Sequence, residues 1–400
     1  MQTKEDAFVT IESPVQRFDD QKVFIIKMII KLMVKFRYSL ISGLLCVIPI
    51  HAGGQDVATQ FPWMAGSSVY TGFLLNHHNN MRILNEATPY IFEIFIAKPT
   101  DGEKEWQSFY RHPLYGVSCM MLNTGSPSYL GKAHAVYQFM NFSLNDAART
   151  VNLNLRVGTG IAYVEKKFDR FDNYKNRAIS THWNVLLSFR MECKLRVAPP
   201  LYLSGGWGLT HISNGAFTKP NAGLNYITVF AGANYAFGKE RIMKPVELNE
   251  YDIDRKWYYT LYLSGGVKSY TINDDMQYAA WGLSLEASRS HLAFTRFSGA
   301  LDLFYDTSDY FFLLEKEMRT SKIQTVKPAL AAGYEFLFGA LSARVQMGGY
   351  LYAKNTDYGR LYQRLALSYT LTRRLNIRFG LKTHWGQADY IELSVGYRIR

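Results

Sequence analysis

Cysteine is nearly missing from this chain, with three in 400 residues. Cys46 lies in an apolar N-terminal stretch, and Cys119 and Cys193 have no second Cys or His at metal-ligand spacing. That excludes a disulfide-built scaffold and zinc modules, and leaves one disulfide or none. Long apolar runs are missing too. After residue 54 no run of about 18 uncharged apolar residues occurs, so a bundle of membrane-spanning helices is excluded. Helical heptads are absent as well. Acidic charge is in deficit: 45 Lys and Arg face 33 Asp and Glu, a net +12, of which +10 belongs to the chain beyond residue 54. A basic protein meets either nucleic acid or an anionic membrane surface. No zinc spacing, basic helix or basic-aromatic signature accompanies the charge, so nucleic acid is not an expected partner. What the chain has in excess is aromatic side chains, at 15%, including 28 Tyr and 25 Phe.

The N-terminus predicts export. Lys35 and Arg37 form a basic flank, Tyr38 to Ile50 an apolar segment, and His51-Ala52-Gly53-Gly54 a small-residue site for a cut before Gln55. Residues 1–54 are therefore expected to be a leader and signal peptide, with a true start at Met28 or Met33 accounting for the surplus leader. A membrane anchor over 23–50 is the alternative, and Lys27, Lys31, Lys35 and Arg37 interrupt it. For an exported basic protein, a phosphorylated glycolipid is the natural anionic partner.

Beyond residue 55 the dominant signal has period two. Val151, Leu153, Leu155 and Val157 alternate with Asn152, Asn154, Arg156 and Gly158, and Leu375, Ile377, Phe379 and Leu381 alternate with Asn376, Arg378, Gly380 and Lys382. Side chains of a strand point to opposite faces in turn, so each segment has one apolar and one polar or small face. With an export signal and a heavy aromatic load, the expected fold is all-β: a transmembrane antiparallel β-barrel in the bacterial outer membrane, its apolar face on lipid. Strands are expected near 66–75, 89–98, 115–122, 132–142, 149–162, 181–189, 195–213 and 225–237. A second series is expected near 256–268, 277–287, 291–305, 325–338, 341–353, 363–371, 375–383 and 389–400. The polar stretch 238–255 breaks the series. Residues 55–240 therefore predict an eight-stranded unit, and 241–400 an extension, a larger barrel or a second unit. Leu201–Gly206 recurs as Leu261–Gly266, which we read as shared strand chemistry rather than duplication.

One stretch carries chemistry. Leu201, Leu203, Trp207 and Leu209 form the lipid face of a strand, and His211 and Ser213 continue that face. A serine hydroxyl is a weak nucleophile until an adjacent base takes its proton, and a His two residues away on one face is in reach. The chain turns through Asn214-Gly215 and returns with Asn225 at the start of the next lipid face, beside the pair. Such a pair on a lipid-facing wall suits a lipid substrate. Elsewhere His77-His78 are read as loop residues, and His134, His182 and His384 as structural. The mixed-charge loop holding Glu165, Asp169 and Asp172 among Lys166, Lys167, Arg170, Lys175 and Arg177 is a solvated loop or a phosphate-contacting surface.

His211-Ile212-Ser213-Asn214, followed by Pro220-Asn221, resembles the active-site motif of the outer-membrane lipid A 3-O-deacylases (PagL-type), and the longer chain resembles the related acyloxyacyl hydrolases. The resemblance covers about residues 60–240, with Ala178–His182 a weaker second match. It implies an eight-stranded barrel with a lipid-facing Ser-His-Glu triad that cleaves ester-linked acyl chains from lipid A without a cofactor. Ser213 matches the nucleophile, His211 the base, and Asn214 the residue linked to the oxyanion hole. The family Glu falls at Asn225, a departure that removes the negative charge from the third position. The expected function is a serine-type esterase acting on lipid A, lipopolysaccharide or a related membrane lipid. The alternative is a non-catalytic barrel, a pore or a structural surface protein, with Arg156, Arg378 and Lys382 lining it. Acyl position and oligomeric state are not legible in the sequence.

Overall fold

A computed structural model describes residues 59–145, 149–242, 253–272 and 276–399. The expected leader and signal peptide lie outside the described residues. A short antiparallel pair joins β1 (Thr59–Gln60) to β10 (Arg241–Ile242). Between them eight strands form a closed barrel. They are β2 (Trp63–Leu74), β3 (Tyr90–Pro99), β4 (Leu114–Asn123), β5 (Lys132–Ser143), β6 (Val151–Val164), β7 (Trp183–Ala198), β8 (Leu201–Ser213) and β9 (Leu224–Phe237). A second closed barrel follows. Its strands are β11 (Trp257–Ser269), β12 (Gln277–Leu292), β13 (Thr295–Asp306), β14 (Val326–Phe338), β15 (Leu341–Tyr350), β16 (Leu361–Thr370), β17 (Leu375–His384) and β18 (Gln387–Arg398). Every expected strand has its counterpart, and of the alternatives left open for the C-terminal part, a second closed barrel is what forms. No described helix is long and apolar enough to cross a membrane.

The period-two pattern sorts the walls as expected. On β6, Val151, Leu153 and Val157 point outward while Asn152, Asn154 and Arg156 are buried inside. Cys119 and Cys193 are both free and face outward, where each acts as a small apolar residue. The expected break between β7 and β8 was misplaced. Residues 190–194, left between two expected strands, belong to β7, with Arg190, Glu192 and Lys194 on its inward face, and the turn falls at Pro199-Pro200.

Closed sheets of eight strands leave interiors that side chains fill. Inside the first barrel Glu93 accepts from Arg190 (2.6 Å) and Tyr137 (2.7 Å), and from Tyr70 and Ser118. Arg156 sits 3.5 Å from Glu93 and 3.4 Å from Glu192. Inside the second, Arg378 pairs with Glu286 (3.3 Å) and Lys382 with Asp389 (2.7 Å). The charges expected to line a pore are thus tied to carboxylates, which a buried charge requires.

The barrels touch at both ends. At one end the long β3–β4 connection, with helix α1 (Glu105–Phe109), meets the second barrel: Trp106 lies edge-on to Phe338, and Tyr110 donates to Phe294 O at 2.8 Å. That contact explains a connection longer than a turn on that side requires. At the other end Ser269 N–H donates to Ala216 O (3.0 Å) and Lys219 to Tyr270 O (2.7 Å). The remaining long connections, 75–89, 165–182, 214–223 and the 307–325 segment with helix α2 (Thr307–Glu315), gather at this second end.

Candidate active site

Strand β8 ends at Ser213, and its register with β9 sets His211 directly opposite Asn225. The side chains meet in a line: Asn225 Oδ1 lies 2.7 Å from His211 Nδ1, and His211 Nε2 lies 2.8 Å from Ser213 Oγ. Both distances suit hydrogen bonds. The line belongs to the outward face, as the alternation requires, but it is not open. Ser213 is only 5% exposed, against 46% for Trp207 on the same face. Gly223 covers it with a left-handed backbone (φ +78°). A Cβ there would come within 2.9 Å of His211 Cε1 and 3.5 Å of Ser213 Cβ. Ala222 and Gly223 are themselves bound to Arg177 O and Ala178 O of the 165–182 loop.

The turn after Ser213 is unusual. Gly215 (φ +64°) and Ala216 (φ +66°) are consecutive left-handed residues. Asn214 N–H is already committed to Asn221 Oδ1 at 3.1 Å. The Gly215 and Ala216 N–H groups meet no protein acceptor among the described residues. Asn214 braces the turn through its side chain, donating to Ser180 Oγ and Thr218 O, both at 3.0 Å. The weaker 178–182 match is thus a support for Asn214. Its His182 turns away to Val164 O (2.9 Å) and stacks on Tyr163. The second barrel closes the far side: Leu381 and Ile391 border Gly215, where a Cβ would strike Ile391 Cγ1 at 2.4 Å.

His77, read as a loop residue, is part of this site. Its Nε2 lies 2.9 Å from Ala222 O and its Nδ1 3.4 Å from Asn225 Nδ2. No local pattern signals a contact between residues so far apart in sequence. Its neighbour His78 is held below the ordinary imidazole range by burial first, and then by His77. Beyond the pair, a cleft of about 730 Å³ opens between the 79–83 and 168–177 segments. Arg82, Arg170, Lys175 and Arg177 line it with no carboxylate among the lining residues, and Ile272 of the second barrel forms part of its wall.

Residues 91–234 match the family model described as lipid A 3-O-deacylase (PagL), and residues 257–400 match the one described as acyloxyacyl hydrolase, C-terminal domain. Each match falls within one barrel. No curated protein sequence matches the chain. Among solved structures, Neisserial surface protein A is 10% identical over 45% of this chain and 99% of its own, with a TM-score of 0.29. A Rh. blastica porin variant is 8% identical over 86% of this chain and 100% of its own, with a TM-score of 0.17.

Proposed function

The chain belongs to the lipid A 3-O-deacylase (PagL) and acyloxyacyl hydrolase family of outer-membrane barrels, and from that premise we propose that it hydrolyses ester-linked acyl chains of lipid A by a Ser-His mechanism. The observation that carries the reading is the unbroken line Ser213–His211–Asn225, at 2.8 and 2.7 Å, on a membrane-facing wall. Ser213 Oγ attacks the acyl carbonyl carbon while His211 Nε2 takes the hydroxyl proton. Asn225 accepts from His211 Nδ1–H and orients the ring without supplying charge. The free N–H groups of Gly215 and Ala216 receive the developing oxyanion, with Asn214 fixing their turn. His211 then returns the proton to the leaving sugar oxygen. Water repeats the sequence on the acyl-serine, with His211 again as base, and the fatty acid leaves.

The deacylase unit is the first barrel, within residues 55–240, and 241–400 supports it from the side. Outer-membrane barrels carry short turns inside and long loops outside, so the long loops set the site at the outer leaflet. The four-cation cleft beside it suits the phosphorylated headgroup. Mass spectrometry of lipid A treated with purified protein tests this: loss of an ester-linked 3-hydroxy acyl chain is expected, and Ser213→Ala abolishes it while the barrel still shifts on heating in SDS. Release that survives Ser213→Ala removes this site. No release by the wild type or by Asn225→Glu would favour a non-catalytic barrel.

A further inference from the structure

Asn225 is an ambivalent neighbour for a catalytic base. Turned one way, its Oδ1 accepts from His211 Nδ1–H, and His211 Nε2 keeps a lone pair for the Ser213 proton. Turned the other way, its Nδ2 donates to His211 Nδ1. The ring hydrogen then sits on Nε2, facing Ser213, and the base is lost. The two orientations have nearly the same shape, and His211 chooses neither, because its tautomer simply follows. A carboxylate at 225 would have no such choice.

His77 breaks the tie. Ala222 O, 2.9 Å from His77 Nε2, only accepts, so Nε2 carries the ring hydrogen. Nδ1 is then left with its lone pair, and of the two ends of the Asn225 amide only Nδ2, 3.4 Å away, can donate to it. Leu75 O also lies 3.2 Å from Nδ1 and accepts from the His77 backbone N–H at 3.1 Å, but a neutral imidazole has one ring hydrogen, and the shorter 2.9 Å contact with Ala222 O holds it on Nε2. The backbone holds both partners in place, since Leu75 N–H donates to Asn225 O at 2.8 Å. We propose that His77 is a positioning residue, accepting from the Asn225 amide and thereby fixing the tautomer in which His211 serves as base. The chain of bonds runs Ser213, His211, Asn225, His77, Ala222 O, and no charge passes along it.

The proposal rests on the Ser-His reading, and two measurements on the full-length protein in detergent micelles separate them. With histidine labelled in its ring nitrogens, the NMR shifts report the His211 tautomer without turnover, and lipid A deacylation is followed in parallel. In the wild type His211 is expected as the Nδ1–H form. In His77→Leu the Nε2–H form appears, and kcat falls roughly five- to tenfold, the weight of one neutral hydrogen bond in an equilibrium, with KM unchanged. His77→Gln, whose side-chain oxygen offers an acceptor, recovers most of the loss. With Asn225→Glu as the background, His77→Leu does not lower kcat. A His211 that stays Nδ1–H in His77→Leu overturns the proposal, as does an equal loss of rate in both backgrounds, which would mark a role in folding alone. If the tautomer responds to His77 while release ignores Ser213→Ala, the hydrolase reading fails and the positioning stands.

Discussion

At the residue scale the site turns on what stands at position 225. In the proposed mechanism Asn225, 2.7 Å from His211, orients the imidazole but cannot stabilise the imidazolium that forms as Ser213 attacks. Asn225→Glu is therefore expected to raise kcat by roughly tenfold or more, since a carboxylate stabilises the charged ring and an amide does not. The check is the initial rate of 3-hydroxy fatty acid release at saturating lipid A, and a variant no faster than wild type would show that charge at 225 is not limiting. Gly223 is a second single-residue constraint. A methyl group there falls 2.9 Å from His211 Cε1 on a left-handed backbone, so Gly223→Ala is expected to displace the ring and lower kcat while the barrel remains heat-modifiable.

At the element scale the alternation of each strand does two jobs. The outward residues meet lipid, and the inward ones must neutralise one another in a closed interior. Glu93 on β3 answers Arg156 on β6 and Arg190 on β7, so one carboxylate ties strands that are not adjacent. Removing it leaves the buried Arg190 guanidinium without its carboxylate and Arg156 with Glu192 alone, and Glu93→Ala is expected to cost about 3–5 kcal/mol. The readout is the temperature at which the folded band is lost in SDS gels, which should fall well below that of the wild type. An unchanged temperature would mean that water or the neighbouring tyrosines compensate. The loops form a further element. Arg82 in one and Arg177 in another line the same cleft. Arg82→Gln with Arg177→Gln is expected to raise KM for bisphosphorylated lipid A several-fold and to leave a dephosphorylated substrate unaffected, the signature of a headgroup contact.

At the scale of the whole molecule the second barrel is more than an appended copy. It touches the turn that follows Ser213 at several points: Ser269 N–H on Ala216 O, Ile391 against Gly215, and Lys219 held by Tyr270 O. Both left-handed residues of that turn are therefore contacted from outside the barrel that carries Ser213. Gly215→Ala meets Ile391 Cγ1 at 2.4 Å and a strained φ together, so a loss of at least about tenfold in kcat is expected. Ile391→Ala in the same chain should restore part of it by removing the clash and leaving only the strain. No recovery in the double variant would show that the second barrel does not bear on the turn.

Apart from the β7–β8 boundary, the strands and the face each one buries were legible in the sequence, because period two is a property of the strand and survives without knowledge of neighbours. The pattern at Val151–Val157 and at Leu375–Lys382 was enough to place lipid and lumen sides. It also determined that His211 and Ser213 share one face, since two residues apart on a strand is one fixed distance. Asn225 was placed on the same face for the same reason, at the start of the returning strand. The tertiary structure alone decided the rest. Closure into two barrels depends on which strand meets the first one, β9 on β2 and β18 on β11, a pairing that no local pattern encodes. The run of β7 through Arg190, Glu192 and Lys194 was decided there too, because sequence shows a charge but not the partner that makes it tolerable inside. His77 does lie in the 75–89 loop, as read, but its contact with Asn225 arises only when β2 closes against β9. The cover over Ser213 is tertiary too, since Gly223 is held there by backbone bonds of the 222–223 segment to Arg177 and Ala178 of the 165–182 loop.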